Sequence, residues 1–266
     1  AVHGAVESLH SILLNGFGLS EAMGIYVHSA PGVVIQGNTG LDVRADTVLN
    51  VIVNHEITGT PSVSVATPEV VKAVRRVVVS GAEERGVPVG ALAENRFANA
   101  EGIANALGLG VYDSPLAKVQ LNDVRVTANV DVKSSAASPA PVMADTEAIA
   151  VGTALAAGLH LVASKDSTVM SDTLLVKAIG KVLGSADAKL PMPTPILGPF
   201  GLADVSAYAE GMVVQGSKKV SVVGNNVTAQ ASGVAVGFGK EVIPAPMLSE
   251  GWGFGSSDAA GIIGVD

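Results

Sequence analysis

Several stretches of this chain recur in the same order at a nearly constant offset, and that recurrence constrains the fold more than any single motif. VKAVRRVVVSGAEERG from Val71 resembles VKAIGKVLGSADAK from Val176, an offset of 105. PAPVM from Pro139 resembles PAPML from Pro244 at the same offset. AKVQLNDVRVTA from Ala117 resembles KKVSVVGNNVTA from Lys218 at an offset of 101. GFGLSEAMGI from Gly16 shares seven of ten residues with GFGSSDAAGI from Gly253, and AIAVGTALAAGLHLV from Ala148 reads as a middle copy. A fixed period means a unit that buries its apolar face against its neighbour. The expected unit is about 105 residues long. From Gly16 to Ala148 the spacing is 132, so the first unit carries roughly 27 extra residues, expected between about Pro31 and Ile57.

Local periodicity suggests what each unit contains. Val2, Ala5, Val6, Leu9, Ile12 and Leu13 have helical spacing, closed by Asn15–Gly16. Met23–Val27, Val33–Gln36, Val48–Val53 and Ser62–Ala66 are short β-branched runs that read as strands. Thr67-Pro68-Glu69 caps a helix to Gly86, with Val70, Val74, Val77 and Val78 as its apolar stripe. Val87–Ala93 reads as a strand, Ala98–Leu107 as a short helix, and Val119–Val132 as a hairpin turning at Asn122–Asp123. Ser134–Pro141 reads as a linker. Beyond it the pattern predicts a helix capped by Asp145, a strand at Leu159–Ala163, and a helix from Ser171 or Asp172 to Gly184. Met192–Phe200 is a Pro-rich loop, and Met212–Val214, Val220–Val223 and Val234–Val236 are strand-like. The expected fold is therefore α/β (or α+β), with duplicated strand-helix-hairpin units packed as helix-on-sheet layers. Its parts are an N-terminal helix (1–15), a first unit (16–143), a second unit (144–248) and a Gly-rich terminal element (249–266).

Composition narrows the function. Hydrophobic residues make up 48% and aromatics only 3%, while Ala, Val and Gly dominate, so the core must be built from small and β-branched side chains. No apolar run reaches the ~18–20 residues of a membrane helix. The net charge of −8 and the lack of a basic cluster argue against nucleic acid and anionic membranes. There is no cysteine, which removes disulfides, thiolate nucleophiles and Cys-type zinc sites and fits a cytoplasmic protein. His3, His10, His28 and His160 lack ligand spacing, and His160 reads as a satisfied core histidine. The 48% hydrophobic content also favours a homo-oligomer.

Polar clusters that directly follow strand-like runs are the candidate sites, because ligands of open α/β sheets bind beyond strand ends. They are Asn54-His55-Glu56, Glu94-Asn95-Arg96 and Ser164-Lys165-Asp166. In an enzyme acting on a small polar metabolite, His55 or Lys165 would be the base. Glu56, Glu94 or Asp166 would be the acid or an ion ligand, and Arg96 would clamp an anion. Asn54, Ser164, Ser257 and Asp258 would complete substrate binding, the last two in a glycine-rich anion nest. Any metal with such donors would be Mg²⁺-like. Two other readings stay open. One is a self-assembling shell or filament subunit. The other is a non-catalytic binding module.

Overall fold

The computed structural model describes residues 11–53, 95–138, 146–188, 199–241 and 250–265, and every regular element in them is a β-strand. Each circuit of the chain lays down a long strand, a three-residue strand and a second long strand. The first rung is β1 (Ser11–His28), β2 (Val34–Gln36) and β3 (Leu41–Val53). The second is β4 (Asn95–Tyr112), β5 (Lys118–Gln120) and β6 (Asp123–Ser138), and the third β7 (Thr146–Val162), β8 (Thr168–Met170) and β9 (Thr173–Ala188). The fourth is β10 (Phe200–Gln215), β11 (Ser221–Val223) and β12 (Asn226–Glu241), and β13 (Glu250–Val265) opens a fifth. Every strand pairs in parallel with its counterpart in the next rung. A first sheet runs β1-β4-β7-β10-β13, a short second sheet β2-β5-β8-β11 and a third β3-β6-β9-β12. This is a β-solenoid, and it replaces the helix-on-sheet α/β fold expected from the sequence.

Ala100 stacks on Ala150 and Ala150 on Ala203, so a rung takes 50 or 53 residues. Among the described residues, the offsets of 101 and 105 lie within two residues of the 50 plus 53 positions that two rungs take, so they span two rungs rather than one unit. The Gly16 and Gly253 matches sit in true register, because both belong to the column of Ala100, Ala150 and Ala203. The Ala117 and Lys218 match is two residues out of register, since Thr127 faces Lys177 and Lys177 faces Gln230 rather than Thr228. The extra chain of the first rung is also relocated. His28 is level with Tyr112 and Val53 with Ala136, so the segment from Pro31 to Val53 holds one extra residue only. The remainder lies after Val53, where 43 positions separate Val53 from Arg96, against 10 from Ala136 to Thr146.

The segments predicted as helices at Ala98–Leu107, after Asp145 and over Ser171–Gly184 are strands β4, β7 and β9. The predicted hairpin at Val119–Val132 is a corner, with β5 in the second sheet and β6 in the third. Of the N-terminal helix, Ser11 to Leu13 belong to β1, and its first ten residues lie outside the described residues. The helix Thr67–Gly86, the strands Ser62–Ala66 and Val87–Ala93, and both PAP segments lie outside them too.

The core explains the composition. The two long sheets face each other in a wedge. At the narrow edge backbone meets backbone: a Cβ on Gly253 would lie 2.6 Å from the Ala235 carbonyl, and one on Gly251 2.5 Å from that of Gly237. Glycine and alanine predominate there in the later rungs, where the first two rungs have Val51, Val53 and Ser134 in the same columns. Toward the wide edge, closed by the three-residue strands, the filling grows to Leu109, Leu159 and Met212, with Val119 and Val169 behind them. No aromatic side chain is among the buried hydrophobic residues. In β7 the inward residues include Ala148, Ala150, Gly152, Ala154 and Ala156, while Ile149, Val151 and Leu155 turn outward. Side-chain size, not hydropathy, alternates with the period of two that a strand imposes.

One column of the first sheet is glycine in all five rungs. Gly24, Gly108, Gly158, Gly211 and Gly261 each interrupt the pairing between flanking partners, as Gly108 does between Leu107 and Leu109. A Cβ on Gly24 would sit 2.5 Å from the Gly108 carbonyl oxygen, and one on Gly108 2.6 Å from that of Gly158. The column lets each rung close onto the next without a side chain between them.

Candidate functional site

The corners are held by side chains that repeat rung by rung. After the long strand of the first sheet, Ser114, Ser164 and Ser217 stack. Ser114 Oγ accepts from the Ala30 N–H, Ser164 Oγ from the Ser114 N–H at 3.0 Å, and Ser217 Oγ from the Ser164 N–H at 2.9 Å. At the next corner Asn38, Asn122, Asp172 and Asn225 stack in the same way. Asn122 Oδ1 accepts from the Asn38 N–H, Asp172 Oδ1 from the Asn122 N–H and Nδ2, and Asn225 Oδ1 from the Asp172 N–H. These groups satisfy backbone donors where the ladder breaks, as buried polar groups must be satisfied.

Asp172 is the flaw in its column. It is 1% exposed, and its Oδ2 has no partner among the described residues. Burial pushes its carboxyl above the ordinary range, against the lowering effect of the Asn122 bonds. A buried acid with a raised folded pKa favours folding fully only below its unfolded pKa, and that contribution is lost as pH rises through the folded pKa. Asp172→Asn therefore matches the parent in stability below about pH 4. At neutral pH it exceeds the parent by about 1–3 kcal/mol. Its Nδ2 would hold in its own rung the position that Asn122 Nδ2 and Asn225 Nδ2 hold in theirs, where they donate to the Ile35 and Val169 carbonyls. Urea denaturation of both proteins at acid and neutral pH measures this.

The structure disperses the residues expected to form an acid–base site. Asn54, His55, Glu56 and Glu94 lie outside the described residues. Ser164 is fully buried in its corner column, where it serves the fold. Lys165 and Asp166 follow it and are exposed, and Asp166 lies 4.0 Å from Lys219. Arg96 is buried at the opposite end of the first sheet, where it donates to the Ala137 carbonyl. Between Arg96 and Lys165 runs the length of a 17-residue strand, roughly 50 Å. Ser257 and Asp258 lie mid-strand on exposed β13. The described residues hold no group of three or more His, Asp or Glu able to bind a metal ion. Among them no helix is long and apolar enough to cross a membrane.

His160 is satisfied, but on the outer surface of the first sheet rather than in the core. Its Nδ1 lies 3.4 Å from Tyr112 Oη, and its Nε2 lies 3.2 Å from Glu210. Burial, and then the neighbouring Tyr26, raise the Tyr112 phenol.

The feature that stands out is the outer surface of the first sheet itself. Phe17 is 62% exposed, and Trp252 and Phe254 are each 50% exposed. Of the nine aromatic residues in the chain, eight lie on the five strands of this sheet and turn outward; only Phe238 is elsewhere. Between them is a shallow depression of about 330 Å³, walled by Asn15, Phe17, Asn99, Glu101, Ile149 and Val151. Sequence reading missed this surface because it expected helices over strands such as β4 and β7, and so did not separate their inward and outward positions. The signal was present in β7 as large residues alternating with alanine and glycine. No protein-family model, curated protein or solved structure matches the chain.

Proposed function

We propose that this chain is a structural β-solenoid that associates with further copies of itself through its flat outer surfaces. One observation carries the reading: the core is filled without aromatics, while eight of nine aromatic residues are displayed on one broad face. Folding alone gives no reason to place the largest apolar side chains in water. Contiguous exposed apolar patches on soluble chains mark surfaces that meet a partner. The described candidates for acid–base chemistry supply no competing site, since Lys165 and Arg96 are a sheet's length apart.

Sedimentation velocity over a micromolar concentration series tests this. The expected result is mass that rises with concentration in multiples of the single chain. A single-chain mass throughout the series contradicts it.

A further inference from the structure

The two broad outer surfaces differ in charge. On the first sheet every strand carries outward carboxylates, among them Glu21, Glu101, Glu147, Asp204 and Asp258. None of its five strands has an outward lysine or arginine; its one arginine, Arg96, is turned inward and buried. On the third sheet the outward residues include Arg44, Arg125, Lys133, Lys177, Lys181 and Lys240 together with Asp42, Asp46, Asp123, Asp131 and Asp187, so this face carries both signs where the first sheet carries carboxylates alone. Arg44 and Lys133 are engaged by Asp46 and Asp131 of their own strands. Lys177, Lys181 and Lys240 make no ion pair among the described residues. They stand among Ile179, Val234, Val236 and Phe238, so this end of the third sheet mixes lysine with exposed apolar side chains.

We infer that the first sheet's outer face docks on the third sheet's outer face of a second copy of this chain. The inference rests on the self-association proposed above and names its contact. Pairing two first-sheet faces would double the carboxylates with no cation between them, and like charges set against each other disfavour a contact. Pairing first on third sets Glu101 and Asp204, beside Phe17 and Phe254, against lysines beside Val236 and Phe238. Area also permits it. The third sheet is the smaller face and sets the limit: its four strands of 13 to 16 residues, each about 4.8 Å wide, give roughly 50 by 19 Å, or about 900 Å². A stable interface needs about 800 Å² from each partner. Every copy carries both faces, so the contact is heterologous and adds copies in an open series.

Two double variants of outward-facing positions test this: Glu101→Lys with Asp204→Lys, and Lys177→Glu with Lys181→Glu. Each alone is expected to associate at least about tenfold more weakly than the parent, because each sets like charges together. Mixed one to one, they are expected to form heteromers of roughly parental affinity, read by sedimentation of one labelled variant. Circular dichroism and thermal melts establish that both stay folded. If either variant has lost its fold, Glu101→Gln with Asp204→Asn, mixed with the parent, replaces it and is expected to weaken association. A Lys177→Glu, Lys181→Glu variant that associates like the parent, while the Glu101→Lys, Asp204→Lys variant does not, would instead indicate contact between first-sheet faces. Variants that associate like the parent, or a mixture that gains nothing, would overturn the inference and leave self-association standing. A parent that stays a single chain would remove both.

Discussion

Gly108→Ala is expected to cost at least about 3 kcal/mol of stability, more than overpacking usually costs, because the obstruction is backbone. The added methyl would sit 2.6 Å from the Gly158 carbonyl oxygen and 2.8 Å from methyl groups of Val124 and Val126. Side chains can change rotamer, but a carbonyl fixed in a parallel ladder cannot. Gly261 belongs to the same column, yet nothing lies within 4 Å of its would-be Cβ, since β13 is the last strand described. Gly261→Ala is expected to stay within about 0.5 kcal/mol of the parent. Chemical denaturation of the two variants separates a stacking constraint from a general need for glycine. Equal stabilities would contradict the close approach of the rungs.

The second large effect concerns Val176 and its neighbour Ile179. Read as a helix, Val176, Ile179 and Leu183 share one apolar face, and a carboxylate at either of the first two positions would be equally damaging. In β9 they turn opposite ways. Val176 is fully buried between Val126 and Ala229, whereas Ile179 faces outward between Asn129 and Ser232. Val176→Asp buries a charge without a partner and is expected to unfold the chain or cost about 3–5 kcal/mol. Ile179→Asp is expected to cost about 1 kcal/mol, the span of strand preferences. Thermal melts of both variants decide between the two periods.

The same pair shows why part of the fold was legible and part was not. Met23–Val27, Val33–Gln36 and Val48–Val53 are β-branched enough to declare strands, and they lie in or overlap β1, β2 and β3. β4, β7 and β9 are rich in alanine, leucine or lysine, which favour helices, and their two faces differ in size more than in hydropathy. A window on the sequence sees Ala148 and Ile149 as equally apolar. Only a facing sheet at glycine distance separates them. Recurrence was visible, but its period was not. A parallel stack supports each strand with partners 50 residues away, and matches two rungs apart were clearer than matches between neighbours. At the corners, Asn122–Asp123 announced a turn, but nothing local indicated that Asn122 would bond to Asp172 in the next rung instead of closing a hairpin. The candidate site rested on strand ends converging, as they do in open α/β sheets. In a solenoid the strand ends stand in columns along separate corners.

The central claim is that residues 50 to 53 positions apart are neighbours in one ladder. The chain has no cysteine, so pairs of introduced cysteines can carry spin labels without background. Ile103, Thr153, Ser206 and Ser256 form one outward column of the first sheet. Distances from Ile103→Cys to cysteine at each of the other three, measured by electron spin resonance at a dilution where copies are separate, are expected to rise by about 4.8 Å per rung. Three distances that do not rank in that order, or a Thr153 label far from the Ile103 label, would contradict the solenoid and every conclusion built on its faces.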